Sequence, residues 1–341
     1  MGFKVLATAL QAGYTVRGAI RREAQIDTIK SQASIQPFLD HLSFAIVPDI
    51  TVDGAFDAAL KDVTYVLHVA SPLPGAVSIS YPSQEPSESL TIPQGGADPE
   101  NDIVRPAVHG TLSMLNSAAK VPSIRRLVIT SSIVGVASDT AMAKGDTTTI
   151  YTPQTRVRPL PTGPYLTAPQ AYLASKALAL DAAEQFIADR RPHFSIVHVM
   201  PSYVFGANDL VTDAKAIASG SNAILMGLVL GMAAPNASPG TVVHVDDVAR
   251  IHVGALDEEK IPGNANLLAS VPAQFEDALE IAARLFPEAV QDGRLPLRGK
   301  RVTLPMTVDV QDTVAIFGPL KGYEEMVESV VGQYLKLLAK A

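Results

Sequence analysis

Tyr172 and Lys176 stand four residues apart in Ala171-Tyr172-Leu173-Ala174-Ser175-Lys176, and the Ala/Leu-rich text that follows reads as the opening turns of a helix. On a helix that spacing puts both side chains on one face. Ser132 lies 40 residues earlier (172 minus 132), at the end of Leu127-Val128-Ile129-Thr130-Ser131-Ser132. That is the text of a buried parallel strand reaching a site. The three residue types suit carbonyl reduction. An oxygen whose carbon accepts hydride develops negative charge and needs a proton donor and a second hydrogen bond. Tyr172 is the candidate donor and Ser132 the second bond. Lowering a phenol from about 10 by roughly three units needs about 4 kcal/mol of preferential stabilisation of the phenolate. The ammonium of Lys176 supplies stabilisation of that sign. The competing reading is a solvent-facing helix start, but of the 9 tyrosines only Tyr172 has a lysine four residues on.

The elements that must hold these groups alternate between helix and strand patterns, which predicts an α/β fold with a doubly wound parallel sheet. Residues 3–12 read as a helix ending at Gly13, and strands are expected at 14–20, 42–47, 64–69, 126–132 and 194–200. A short helix is expected at 56–60, and further helices at 102–119, 245–256, 275–285 and 323–338. Residues 74–100 and 138–170, rich in proline and small polar residues, read as long loops. After residue 206 the alternation weakens. This divides the chain into a dinucleotide-binding Rossmann domain over 1–206, rejoined by 241–257, and a mainly substrate-binding region over 207–341. In such sheets the ligand lies at the carboxyl ends of the strands. Those ends are Arg21, Asp49, residues 68–72, Ser132 and Pro201.

An acidic residue closing the second strand would receive a ribose 2′-hydroxyl, whereas an arginine accommodates a 2′-phosphate. The strand at 14–20 is followed by Arg21-Arg22, which favours NADPH/NADP+. The alternative is a solvated basic turn opening the next helix.

Several blocks occur in order along nearly the whole chain: Leu67-His68-Val69-Ala70-Ser71-Pro72, Pro106-Ala107-Val108-His109-Gly110-Thr111, Thr130-Ser131-Ser132 with Tyr172 and Lys176, Pro201-Ser202-Tyr203-Val204-Phe205-Gly206, and Val245-Asp246-Asp247-Val248-Ala249-Arg250. Together they resemble the extended short-chain dehydrogenase/reductases, of the NAD-dependent epimerase/dehydratase family. They are similar to the dihydroflavonol-reductase and cinnamoyl-CoA-reductase branch, and within it to fungal ketone and aldehyde reductases. The resemblance implies an NADPH-dependent ketone or aldehyde reductase of secondary metabolism, with Ser132, Tyr172 and Lys176 as catalytic residues. It implies cofactor contacts at Gly2, Arg21 (2′-phosphate), Asp49 (adenine), Ile50, Val69, Ala70, Ser71, Tyr172, Lys176, Pro201 and Val204. The alternatives are a nucleotide-sugar epimerase or dehydratase of the same superfamily and a non-catalytic dinucleotide-sensing protein. Relatives open with a strand and a Gly-x-x-Gly-x-x-Gly turn. Set on that pattern, Gly2 takes the third glycine, and the first strand and first two glycines are absent. A break is therefore expected mid-sheet, between strands 14–20 and 64–69, as in an incomplete gene model or splice form.

Composition is that of a globular protein: 341 residues, 47% hydrophobic and 18% charged. A net charge of −7 with no basic tract disfavours nucleic acid and anionic membrane as partners. The absence of cysteine excludes disulfides and thiolate chemistry. No histidine pair has metal-ligand spacing, and Asn236-Ala237-Ser238 is a glycosylation acceptor only in a secreted protein. The first apolar run is shorter than a secretory core, so a cytoplasmic protein acting on a small carbonyl compound is expected. Leu225, Met226, Leu228, Val229, Leu230 and Met232 suggest a pocket for a bulky, weakly polar substrate.

Overall fold

A computed structural model describes residues 1–71, 98–234 and 237–340. Helix α1 (Gly2–Gln11) buries two faces, Val5 and Ala9 on one and Ala7 and Leu10 on the other. It stops where Gly13 takes φ +88°, a conformation free of Cβ strain only for glycine. Strand β1 (Val16–Ile20) pairs in parallel with β2 (Leu42–Ile46), Val16 opposite Leu42 and Ile20 opposite Ile46. The chain continues through β3 (Tyr65–His68), α2 (Arg105–Ala119), β4 (Arg126–Thr130), α3 (Ala168–Arg190), β5 (Ser195–Pro201) and β6 (Tyr203–Phe205). Then come β7 (Thr241–His244), α4 (Val245–Gly254), β8 (Ala265–Ala269), α5 (Asp277–Leu285) and α6 (Tyr323–Leu338).

Strands β8, β5, β4 and β3 form a parallel sheet in that order, with Tyr65 opposite Arg126 and Arg126 opposite Ser195. Alternation along β4 explains its continuous apolar text. Leu127 and Ile129 face α2 and α3 through Met114, Leu115, Ala118, Ala183 and Phe186. Val128 faces the opposite side, with Val248, Ile251 and Ala255. A parallel strand covered on both faces has no polar side to show. Arg126 is also buried at 1% exposure. Its guanidinium donates to Ser195 Oγ at 2.8 Å and to the carbonyls of Ala255, Asp257, Ile261 and Gly263. It thereby ties β4 to the segment that leads into β8, as a fork of fixed donors can.

Among the described residues, β1 pairs with β2 alone and β3 with β4 alone, so the sheet is interrupted between β1 and β3, as the sequence led us to expect. Side chains span the interval. Arg17 donates to the carbonyls of Ala59 and Lys61 at 2.8 and 2.7 Å. The Tyr14 and Tyr65 rings meet edge to face at 6.2 Å. Val5 and Ala9 of α1 pack on Ala249 and Val253 of α4, with Val16, Leu67 and Val69 around them.

Three expectations are corrected. Residues 138–170 are not all loop: Ser138 caps a helix over Asp139–Lys144, and Asp146–Tyr151 is a strand paired with Met306–Val308. That pairing is set by a distant segment, which local composition cannot report. Residues 56–60 form hydrogen-bonded turns in place of a helix. Leu225, Met226, Leu228 and Val229, expected to face a substrate, are buried at 2% exposure or less. They fill a second core with Phe275, Met326, Val330 and Val331 of the C-terminal region. Most of the 74–100 loop, Pro72 and Asn236 lie outside the described residues. Among the described residues, no helix is long and apolar enough to cross a membrane, and no group of three His, Cys, Asp or Glu could hold a metal ion.

Candidate active site

Beyond the end of β4, Ser132 adopts an extended backbone and caps the single turn Ile133–Gly135. Its Oγ accepts the Val134 N–H at 3.4 Å and donates to the carbonyl of Pro201, the last residue of β5, at 3.5 Å. The buried hydroxyl is thus fixed between two strand ends. Helix α3 opens with Thr167 as its cap, the hydroxyl accepting from Gln170 N at 3.3 Å, and with proline in its first turn. Tyr172 and Lys176 follow on successive turns. Gly135 lets the helix lie close to the serine turn, because a Cβ there would stand 3.3 Å from the Lys176 carbonyl oxygen. One small residue therefore brings the face of α3 to Ser132.

Lys176 Nζ donates to Ser71 Oγ at 2.8 Å and sits over the Tyr172 ring, 5.6 Å from its centroid. Burial lowers the Lys176 pKa to about 8. Burial also pushes the Tyr172 phenol above its ordinary value, the Ser132 hydroxyl opposing this and Tyr203 adding to it. The expected lowering of Tyr172 by Lys176 is therefore not found: the ammonium addresses the ring face, and desolvation of the phenolate dominates. The phenol stays protonated at neutral pH, the state an acid needs.

The strand ends bring together most of the residues expected to meet a dinucleotide. Arg21 closes β1, and its guanidinium, free of hydrogen bonds and ion pairs among the described residues, acts on Asp49 beyond the end of β2. Asp49 is held by the Thr51 N–H and hydroxyl at 2.8 and 2.6 Å, contacts that keep its carboxyl below the usual range. Val69, Ala70 and Ser71 follow β3, and Ala70 is exposed. Gly2 opens α1 with no side-chain cap and open space about its Cα, leaving the first N–H groups of the helix available to an anion. Ile50 and Val204 differ in that their side chains serve packing. Ile50 lies against Gly110 of α2, and Val204 packs with the β4–β5 core. Pro201 is buried, with its carbonyl taken by Ser132. An arginine beside a strand end, a free helix start and a lysine–serine pair fit the adenosine phosphate, the pyrophosphate and the nicotinamide ribose of a dinucleotide.

Sequence reasoning missed the groups behind this front. His68, His198 and His252 are buried, and desolvation lowers each to about 4. His198 has Nδ1 2.9 Å from the Asn266 side chain, while its Nε2 has no partner. It lines a cavity of about 20 Å³ with Lys176, Ser71 and Thr130. That volume holds about one water and no substrate. A lone histidine in an apolar strand carries no sequence signal. A larger hollow of about 210 Å³ lies behind α3 against Leu173, Ala174 and Ala177, away from Tyr172 and Lys176.

A parallel Rossmann-type sheet with serine, tyrosine and lysine gathered at its carboxyl end defines the class, that of the extended short-chain dehydrogenase/reductases. The model of the NAD dependent epimerase/dehydratase family matches residues 91–267, and the chain belongs to that family. It is 35% identical over 352 residues to a ketoreductase of Cercospora nicotianae, covering 100% of this chain and 93% of that protein. It is 30% identical over 303 residues to a putative NADPH-dependent methylglyoxal reductase of Candida albicans, covering 84% of this chain and 80% of that one. The fold matches yeast methylglyoxal/isovaleraldehyde reductase, solved with NADPH, at a TM-score of 0.77 and 25% identity, over 99% of this chain and 96% of that chain.

Proposed function

We propose that this protein is an NADPH-dependent reductase of a ketone or aldehyde. The observation that carries the reading is the convergence of Ser132, Tyr172 and Lys176 at the strand ends, with Lys176 bonded to Ser71. The names of the relatives support the same chemistry and cofactor. When bound, the reduced nicotinamide supplies the hydride. Ser132 holds the carbonyl oxygen by a hydrogen bond, and Tyr172 transfers its phenolic proton to that oxygen as charge develops, giving the alcohol. Lys176 orients the phenol from its ring face and binds the nicotinamide ribose. Arg21 holds the 2′-phosphate, Asp49 lies at the adenine, and the backbone at Ile50, Val69, Ala70, Pro201 and Val204 borders the cofactor. Residues 1–206, with 241–257, carry the cofactor, and residues 207–341 mainly shape the substrate side.

The test is NADPH oxidation by the purified protein against aldehydes, ketones and nucleotide sugars. Turnover of simple carbonyls, with an alcohol formed for each NADPH consumed, is the expected result. Conversion of a nucleotide sugar without net NADPH consumption would overturn it in favour of an epimerase or dehydratase.

A further inference from the structure

Arg301 is a cation without an anion. Its Nη2 donates to Ser238 Oγ, and its guanidinium carbon lies 5.7 Å from the centroid of the Phe275 ring. Its Nε is fully enclosed and has no hydrogen-bond partner. Among the described residues no carboxylate stands within ion-pair distance of it. Burial lowers its pKa, and the titratable groups that act on it are the phenols of Tyr203 and Tyr323, not carboxylates. Taking a guanidinium partly out of water without a counter-charge is unfavourable unless something else compensates. Ser238 and the Phe275 face offset part of that cost and leave the charge itself unanswered.

The position ties this cation to the reaction site. Tyr203 begins two residues beyond Pro201, whose carbonyl holds Ser132. Its ring meets Phe275 edge to face at 6.1 Å, on the aromatic group that carries Arg301. Its phenol acts on Tyr172 in one direction and on Arg301 in the other. Tyr203 and Phe275 thus link the strand end that holds Ser132 to the guanidinium. We propose that Arg301 anchors a negatively charged group of the substrate, so that the carbonyl compound reduced at Tyr172 carries a carboxylate, or a comparably acidic enol, at its far end. This inference rests on the reductase reading and names its substrate class.

The experiment compares 4-formylcinnamate with its methyl ester, which share a reacting group and a ring and differ in charge. Both turnover with NADPH and calorimetric binding are measured, for the parent protein and for Arg301→Leu and Arg301→Lys. The parent is expected to favour the acid by about 10-fold or more in kcat/KM. Arg301→Leu should lose about 10- to 100-fold with the acid and change little with the ester, the range of one charge-assisted hydrogen bond or ion pair. Arg301→Lys should keep part of the preference. Equal losses with acid and ester would assign Arg301 to the structure alone, and a parent protein that binds the ester as well as the acid would overturn the proposal. If Arg301→Leu does not fold, the acid-to-ester ratios of the parent and of Arg301→Lys decide. Binding of the acid without any carbonyl turnover would instead sink the reductase reading and leave the anion site standing.

Discussion

Two parallel sheets in this chain do different work. The β3-β4-β5-β8 sheet is covered on both faces, and its strands β4 and β5 are buried along nearly their whole length. Strand β1 alternates half-buried and exposed positions, β2 buries only Leu42, and Ile46 is 46% exposed. Groups that act on a bond being made need fixed positions and a low dielectric, and they rise from the covered sheet. Arg21 and Asp49, which would meet a charged and solvated end of a cofactor, sit on the exposed pair, where keeping a charge costs little desolvation.

The contrast can be strained first by acid. His68, His198 and His252 all belong to the covered half and stay neutral when folded, with pKa values lowered to about 4 by burial. The β1-β2 half has only the exposed His41. Between the unfolded value of about 6.5 and the folded value, the unfolded chain binds more protons, so stability present above that window is lost as pH falls through it. From pH 7.5 to 5 the loss is about 2 kcal/mol per histidine, or roughly 6 kcal/mol in all. Urea unfolding at the two pH values measures it, and an unmoved midpoint would mean that the covered sheet admits water to these rings.

Next in size is Tyr172→Phe, which keeps the ring and removes the acid. Turnover should fall by about 10² to 10⁴ with NADPH affinity little changed. Lys176→Met should lose both rate and affinity. Near-parental turnover of the phenylalanine variant would remove Tyr172 from its role.

On the exposed pair the effects are smaller and selective. Arg21→Ala should raise KM for NADPH by about 10- to 100-fold and leave that for NADH nearly unchanged. Equal losses with both cofactors would make the arginine structural. Smallest is Arg17→Ala, which removes two donor contacts across the interval between the sheets at a cost of about 1–2 kcal/mol. Amide exchange should then quicken in β1 and not in β4, and uniform quickening would show that the two sheets unfold as one.

What the text of the chain made legible was the fold class and the strand ends at which the candidate residues gather. Tyr172 and Lys176 announce themselves by helical spacing, Ser132 by its place at a strand end, and Arg21 by following a strand. The interruption between β1 and β3 was legible as well. What could not be read was set by distance along the chain. The 146–151 strand exists because residues 306–308 pair with it, and the burial of Arg126 rests on five acceptors that all come from beyond residue 194. The direction of the Tyr172 shift also depends on burial, which residue types alone do not state.

The junction between β1 and β3 has a consequence for cooperativity. A hydrogen-bonded ladder couples neighbouring strands directly, whereas this seam is held by side chains alone: two arginine contacts, one ring pair, a helix–helix patch and the packing of Ala45 and Val47 on the core under β3 and β4. The β1-β2 pair with α1 is therefore expected to open at lower free energy than the sheet beneath Tyr172, as faster amide exchange in β1 than in β4 would show. A dinucleotide bridging Arg21 and Lys176 would close that seam from outside, so the affinity for it includes the work of joining two units that the backbone leaves apart.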